Sequence, residues 1–137
     1  MRVLKSLTIS IALALPTVAA GQDATVSSSR FSGAADFQAY CASCHGPAAK
    51  GDGVIATSLV KRPPDLTQLA RRNSDGFPQD RVFKMIDGRS PATSHRAPDM
   101  PAWGDVFAKA IESAGPDATA ARITALVKYL EMIQEKR

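Results

Sequence analysis

The chain has 137 residues, with 17 lysines and arginines against 13 aspartates and glutamates, and a formal net charge of +4 at pH 7. This length allows one domain around a single hydrophobic core and argues against two domains. The basic residues form no run longer than two, as in Lys61-Arg62 and Arg71-Arg72, so we do not expect nucleic-acid binding.

The first twenty residues have the pattern of a secretory signal. Arg2 and Lys5 form a charged start, residues 7–15 are largely apolar, and Val18-Ala19-Ala20 has the small side chains of a cleavage site. The apolar stretch is shorter than the about 20 residues that a membrane-spanning helix needs. We therefore expect a signal peptide over residues 1–20, an exported chain, and no membrane span after cleavage.

The rest of the chain predicts a short lead-in followed by helices. Residues 21–32 are rich in serine and predict a flexible N-terminal segment ahead of a domain over residues 33–137. Within that domain, apolar spacing with polar caps and glycine or proline stops predicts helices over residues 33–41, 66–70, 79–86, 103–113 and 118–135. The fold class is therefore all-α, with about four to five short helices.

Both cysteines and one of the two histidines lie within Cys41-Ala42-Ser43-Cys44-His45. The pattern Cys-x-x-Cys-His is the attachment signature of c-type haem, in which each thiol adds across a haem vinyl group and the histidine binds the iron. The motif occurs once, and this predicts one covalently attached haem c.

Three other interpretations of these cysteines each require a feature that the sequence does not show. A structural zinc site needs four ligands, and His95 is the only further cysteine or histidine in the chain. A thioredoxin-like redox pair would lie beside alternating strands and helices, and no strand pattern is visible. A disulfide between Cys41 and Cys44 would close a very short loop and would leave His45 unexplained.

With this motif near the start of a helical domain, the chain resembles the class I c-type cytochromes across its mature region. Gly33, Phe37 and Cys41 follow one another at intervals of four. In that family, the glycine and the aromatic residue let the first helix cross the last one closely, and Leu126 and Tyr129 look like the matching pair. The resemblance implies a cytochrome c fold wrapped around one haem, and an electron carrier rather than an enzyme.

The side chains available as a second iron ligand are Met85, His95, Met100 and Met132. Met85 and Met132 lie in predicted amphipathic helices, where methionine usually fills the core. His95 and Met100 lie in a proline-rich loop over residues 90–101, and a loop of this length in a small domain is usually functional. Because Asp99-Met100-Pro101 resembles the methionine ligand loop of the family, we expect His45 and Met100 to bind the iron.

The resemblance also suggests residues around the haem. Pro64, in a Pro-x-Leu setting, is expected to offer its carbonyl to the His45 ring, with Pro63 as the near alternative. Two glycines in the loop over residues 50–53 would allow close approach to a flat cofactor. The candidates for contact with the haem propionates are Trp103, Arg71, Arg72 and Arg89, although Trp103 fits a packing role equally well.

These features predict a soluble, monomeric, periplasmic carrier that moves single electrons between respiratory or dehydrogenase partners. Lys50 and Lys61 are expected to attract an acidic redox partner. Two alternatives remain at this stage. One is a haem enzyme or gas-binding sensor with an open or displaceable sixth position, and the other is a fixed haem subunit of a redox complex.

Overall fold

The computed structural model describes residues 30–74, 76–90, 100–111 and 116–136. The signal peptide predicted over residues 1–20, nearly all of the predicted lead-in, and His95 lie outside the described residues. Those expectations stay predictions.

The described residues form helices and turns and contain no strand. The α-helices are α1 (Gly33–Asp36), α2 (Ala42–His45), α3 (Gln79–Asp87), α4 (Trp103–Ala110) and α5 (Pro116–Met132). A π-helical turn (Phe37–Cys41) joins α1 to α2, and single 3₁₀ turns lie at Ala56–Ser58, Leu66–Gln68 and Arg71–Asn73. The predicted all-α fold is confirmed.

Helix α5 forms the centre of the domain because its apolar stripe is covered on three sides. It packs against α1, α3 and α4. The predicted stripe is buried, through Ile123, Leu126, Val127 and Leu130. Phe37 and Phe107 complete the most deeply buried set with Ile123 and Leu126. Among the described residues, no helix is long and apolar enough to cross a membrane.

The crossing of α1 and α5 depends on a glycine, as the sequence predicts. A Cβ atom on Gly33 would overlap the carbonyl oxygen of Ala125 and press on the Cβ atom of Tyr129. The rings of Phe37 and Tyr129 lie with their centroids 5.4 Å apart. The glycine therefore brings the two backbones into contact while the aromatic rings fill the space beside them. Ala125, which the sequence reading did not single out, is the residue that Gly33 meets.

The first helical segment ends at Gly46, whose φ of 81° is left-handed, and Gly46-Pro47 is the stop that the sequence predicts. Other helix ends differ from the prediction: α4 ends at Ala110 rather than at residue 113, and the helix predicted over residues 66–70 is a 3₁₀ turn at Leu66–Gln68. The last helix ends at Met132, short of the predicted residue 135. It ends there because Gln134 and Glu135 bond to residues 66–70 instead of extending the helix.

Candidate haem site

The cysteine motif lies at the end of a helical segment that is interrupted by a wider turn. The hydroxyl of Ser32 caps the start of this segment by accepting a hydrogen bond from Ala35 N–H (3.2 Å). The π-helical turn begins at Phe37 and ends at Cys41. Turns of this kind are rare and occur frequently at functional sites. The first cysteine of the motif thus lies where the helix changes its winding.

Both thiols are free and half-buried in the structure. Burial, the charge of Asp36 and the second thiol, Cys44, together raise the pKa of Cys41 to about 12, and burial has the largest effect. Cys41 is therefore a protonated thiol at neutral pH. Two unpaired thiols three residues apart fit the covalent attachment that the motif predicts.

The His45 ring lies beside the Pro64 backbone. Burial lowers the pKa of His45, and the Pro64 carbonyl opposes this effect without cancelling it. The imidazole is therefore neutral at pH 7, which is the form that binds a metal. Its Nδ1 atom is buried and has no partner with hydrogen-bond geometry among the described residues. The Pro64 carbonyl thus acts on the ring, although Nδ1 has no partner within hydrogen-bond geometry.

The loop after the motif folds back onto the end of α2 and satisfies its last carbonyl groups. The N–H groups of Gly51, Gly53 and Ile55 donate to the carbonyls of His45 (2.7 Å), Cys44 (3.2 Å) and Ser43 (3.1 Å), respectively. These bonds hold the motif in place and leave none of the three carbonyls without a donor.

Gly51 brings Pro64 to the histidine. Its φ of 77° is left-handed, and a Cβ atom there would overlap the Pro63 carbonyl oxygen. Ala49, fully buried at a φ of 60°, accepts a bond from Leu66 N–H (2.8 Å) and closes the loop. Gly51 and Gly53 both approach protein backbone, and the close approach of this loop to a cofactor stays a prediction.

The segment that carries Met100 leads directly into α4. Met100 is half-buried and packs against the hydrophobic core. Trp103, the first residue of α4, stacks on Phe107 with ring centroids 5.7 Å apart and meets the edge of Tyr40 at 5.6 Å. The packing role suggested for Trp103 is thus seen, while a propionate contact stays a prediction.

The other two described methionines, Met85 and Met132, differ in how far they are buried. Met85 is half-buried in α3 but is not among the described side chains that pack against the core, so the expected core position is not borne out. Met132 is 77% exposed at the end of α5, so the expectation that it fills the core is wrong.

A model of the family described as cytochrome c oxidase, cbb3-type, subunit III matches residues 31–130. The match covers more than half of the chain and includes the whole Cys41–His45 motif. The chain belongs to this cytochrome c family. No curated protein and no solved structure matches the chain. The resemblance to c-type cytochromes is confirmed, and membership means that the domain carries covalently bound haem c and acts in haem-based electron transfer.

The residues of this cytochrome fit the haem that its family binds. The two unpaired thiols and the neutral His45 ring directly after them are the groups that a covalently attached haem requires on this side of the site. Iron ligation by Met100 stays a prediction. No cluster of three or more cysteine, histidine or acidic side chains that would suit another metal is present in the described ranges.

The basic residues predicted near the haem of this cytochrome are largely engaged with protein groups. Arg72 donates to the Asp65 carbonyl (3.1 Å), and Arg89 pairs with Asp87 (2.7 Å), which raises the pKa of Arg89. Arg71 is exposed on its 3₁₀ turn. Their contact with propionates stays a prediction for all three.

Lys50, expected to attract a partner, instead pairs with Glu135 at 2.5 Å. Glu135 also accepts a hydrogen bond from Gln68. Because the carboxylate cancels the lysine charge locally, Lys50 contributes less to the field around the motif than the sequence reading assumed.

Sequence reasoning missed a buried ion pair between Asp36 and Arg122. Arg122 donates through Nε to Oδ2 (2.9 Å) and through Nη2 to Oδ1 (2.7 Å) of the carboxylate. The sequence contained an indication of this pair, because Arg122 lies four residues before Leu126 and eight before Leu130, on the apolar stripe of α5. A charge on such a stripe requires a buried partner.

Proposed function

We propose that this cytochrome is a periplasmic single-electron carrier with one haem, attached through Cys41 and Cys44 and ligated by His45 and Met100. The observation that carries the proposal is the neutral, half-buried His45 directly after two free thiols in a cytochrome c domain. The signal pattern of residues 1–20 supports export, which suits covalent haem attachment.

Each residue of the proposed site has a distinct role. When bound, the haem supplies an iron that alternates between the ferrous and ferric states. Cys41 and Cys44 hold the group covalently, and His45 offers a neutral ring nitrogen to the metal. The Pro64 carbonyl, which already raises the pKa of the ring, would orient it by accepting a hydrogen bond from the other ring nitrogen.

Met100 is the proposed second ligand because of its chemistry and its place in the chain. A thioether is a soft, neutral ligand that favours the ferrous state, so a His/Met pair gives a higher reduction potential than two histidines. Met100 is half-buried at the end of the proline-rich loop, whereas Met132 is exposed and Met85 is inside α3. With His45 and Met100 both binding the iron, the site would need no substrate pocket.

The experiment that tests this proposal is the visible spectrum of the ferric holoprotein, for the wild type and for Met100→Ala. We expect the wild type to show the weak red charge-transfer band of methionine sulfur on iron and the variant to lose it. Met85→Ala is the matched control and should keep the band. A high-spin wild type that binds carbon monoxide readily would overturn the carrier proposal in favour of an open-iron enzyme or sensor.

The partner is proposed to be a redox protein that meets an apolar surface beside the motif. Val54 and Val60 are 89% and 86% exposed, and Ile55 between them is bonded to Ser43 within the motif. We call Val54, Ile55 and Val60 the apolar patch. Exposed apolar side chains concentrated in seven residues favour transient protein contact.

The family description supports a second candidate, a haem subunit held in an oxidase complex. The matched family is described as a subunit of a cbb3-type cytochrome c oxidase. Size exclusion of the native, untagged protein distinguishes the two candidates. A free carrier elutes near the mass of a single chain, and a fixed subunit elutes with its complex.

A further inference from the structure

The Asp36–Arg122 pair is buried at the junction of three helical elements. Each residue is 9% exposed, and among the described residues these are the only charged side chains classed as buried. Asp36 is the last residue of α1, directly before the π-helical turn that ends at Cys41. Arg122 lies in α5, so the pair connects the attachment segment to the central helix.

Aromatic rings enclose the guanidinium of Arg122. Its central carbon lies 4.4 Å from the ring centroid of Phe107, 5.1 Å from that of Tyr40 and 5.8 Å from that of Phe31. Phe107 belongs to α4, whose first residue, Trp103, follows Met100 closely. The arginine thus contacts Tyr40, which directly precedes the cysteine motif, and Phe107 in α4, the helix that follows Met100.

The burial of this pair gives its charges a long reach. Ions in a low-dielectric surrounding interact more strongly than exposed ions, and salt screens them less. Asp36 is the residue directly before the π-helical turn, and Cys41 is the last residue of that turn. The charge of Asp36 already acts on Cys41, where it raises the pKa of the thiol. A net charge left on this pair would therefore change the electrostatic potential at the haem.

We propose that Arg122 is a positioning residue that sets the reduction potential of the haem by cancelling the buried charge of Asp36 beside the attachment cysteine. The proposal rests on the proposed electron-carrier function and goes beyond it, since it assigns a role to a pair that does not touch the iron ligands. Asp36 alone would favour the ferric state, and Arg122 alone would favour the ferrous state. Together they present a balanced dipole held in one geometry by two hydrogen bonds.

The decisive variant is Asp36→Asn, measured by potentiometric titration of the purified holoprotein. Asparagine keeps an oxygen that accepts from Arg122, and arginine does not lose its proton in proteins, so a buried positive charge is left unbalanced. We expect the ferrous-to-ferric ratio at a fixed applied potential to rise roughly tenfold. Arg122→Gln should shift the ratio in the opposite direction, and Asp36→Asn combined with Arg122→Gln should return it close to the wild-type value.

The exposed pair Lys50–Glu135 supplies matched controls, because its ions are 51% and 46% exposed. Glu135→Gln removes one negative charge and Lys50→Gln removes one positive charge, as the two buried variants do, but at solvent-exposed positions. Both should shift the ferrous-to-ferric ratio much less. A purely structural bridge would lower stability without opposite shifts from the two buried variants. An unchanged ratio in Asp36→Asn, or shifts in the same direction from both, would overturn the proposal.

A failure of the proposed function is detected separately, because the wild-type spectrum would then lack the band of methionine sulfur on iron. This is known before any variant is compared. If Arg122→Gln does not fold, Asp36→Asn and the double variant still decide the sign of the effect.

Discussion

Gln134 shows how one side chain after the last helix positions the loop that carries Pro64. Its amide nitrogen donates to the carbonyls of Leu66 (2.8 Å) and Leu130 (2.7 Å), and its amide oxygen accepts from Ala70 N–H (2.9 Å). Three backbone groups are thus satisfied by one partly buried residue. This network joins the end of α5 to the turn that follows Pro64.

We predict that Gln134→Ala lowers the free energy of unfolding by about 1–3 kcal/mol, because it leaves partly buried backbone groups without partners. Chemical denaturation of the holoprotein measures the change. Gln79→Ala is the control, since Gln79 makes one exposed bond to Glu131 and should cost less than about 0.5 kcal/mol. Equal effects in the two variants would show that the Gln134 network does not stabilise the loop.

Two features decide the geometry of the site at the scale of whole elements. One is the contact of α1 with α5 at Gly33, which sets how closely the attachment segment approaches the central helix. The other is the π-helical turn between α1 and α2, which sets where Cys41 leaves the helix. Both lie within the thirteen residues from Gly33 to His45 that end with the haem motif.

We predict that Gly33→Ala destabilises the fold by about 1–3 kcal/mol, because a new methyl group would overlap the Ala125 backbone and force the helices apart. Thermal unfolding monitored by circular dichroism measures this effect. Gly76→Ala is the matched control, since a Cβ atom there meets nothing closer than 3.8 Å. A Gly33→Ala protein as stable as the Gly76→Ala protein would contradict a close crossing.

The surface of the whole molecule combines an apolar patch with charges that are partly cancelled. Lys50 beside the motif is paired with Glu135, and Arg89 is paired with Asp87. We therefore expect association with a partner to depend less on Lys50 and Arg89 than the net charge suggests. The apolar patch at Val54, Ile55 and Val60 becomes the main candidate for contact.

We predict that Val54→Ser combined with Val60→Ser slows electron transfer about tenfold without changing the reduction potential, because losing two exposed apolar side chains weakens the encounter complex. Electron self-exchange, measured from nuclear magnetic resonance line widths, is the assay, since it needs no identified partner. Met132→Ser removes an apolar side chain that is 77% exposed elsewhere and should leave the rate unchanged. Equal slowing by both changes would exclude a specific role for the patch.

The local sequence determined the helices and the attachment chemistry. The apolar spacing of α5, the cap at Ser32, the stop at Gly46 and the motif ending in His45 depend on neighbours within a few residues, and such patterns are readable without a fold. The family match bears out the cytochrome reading that rested on the motif. The proposed Met100 ligand and the propionate contacts are still sequence predictions.

Only the tertiary structure decided which distant groups meet. Asp36 and Arg122 are 86 residues apart, and Gln134 is 68 residues from Leu66. Such pairings depend on how α5 lies across α1 and on where the loop after the motif returns, which no local pattern encodes. The physical reason is burial: once the fold removes these polar groups from water, each must find a partner, and the partner is whichever group the packing brings within reach.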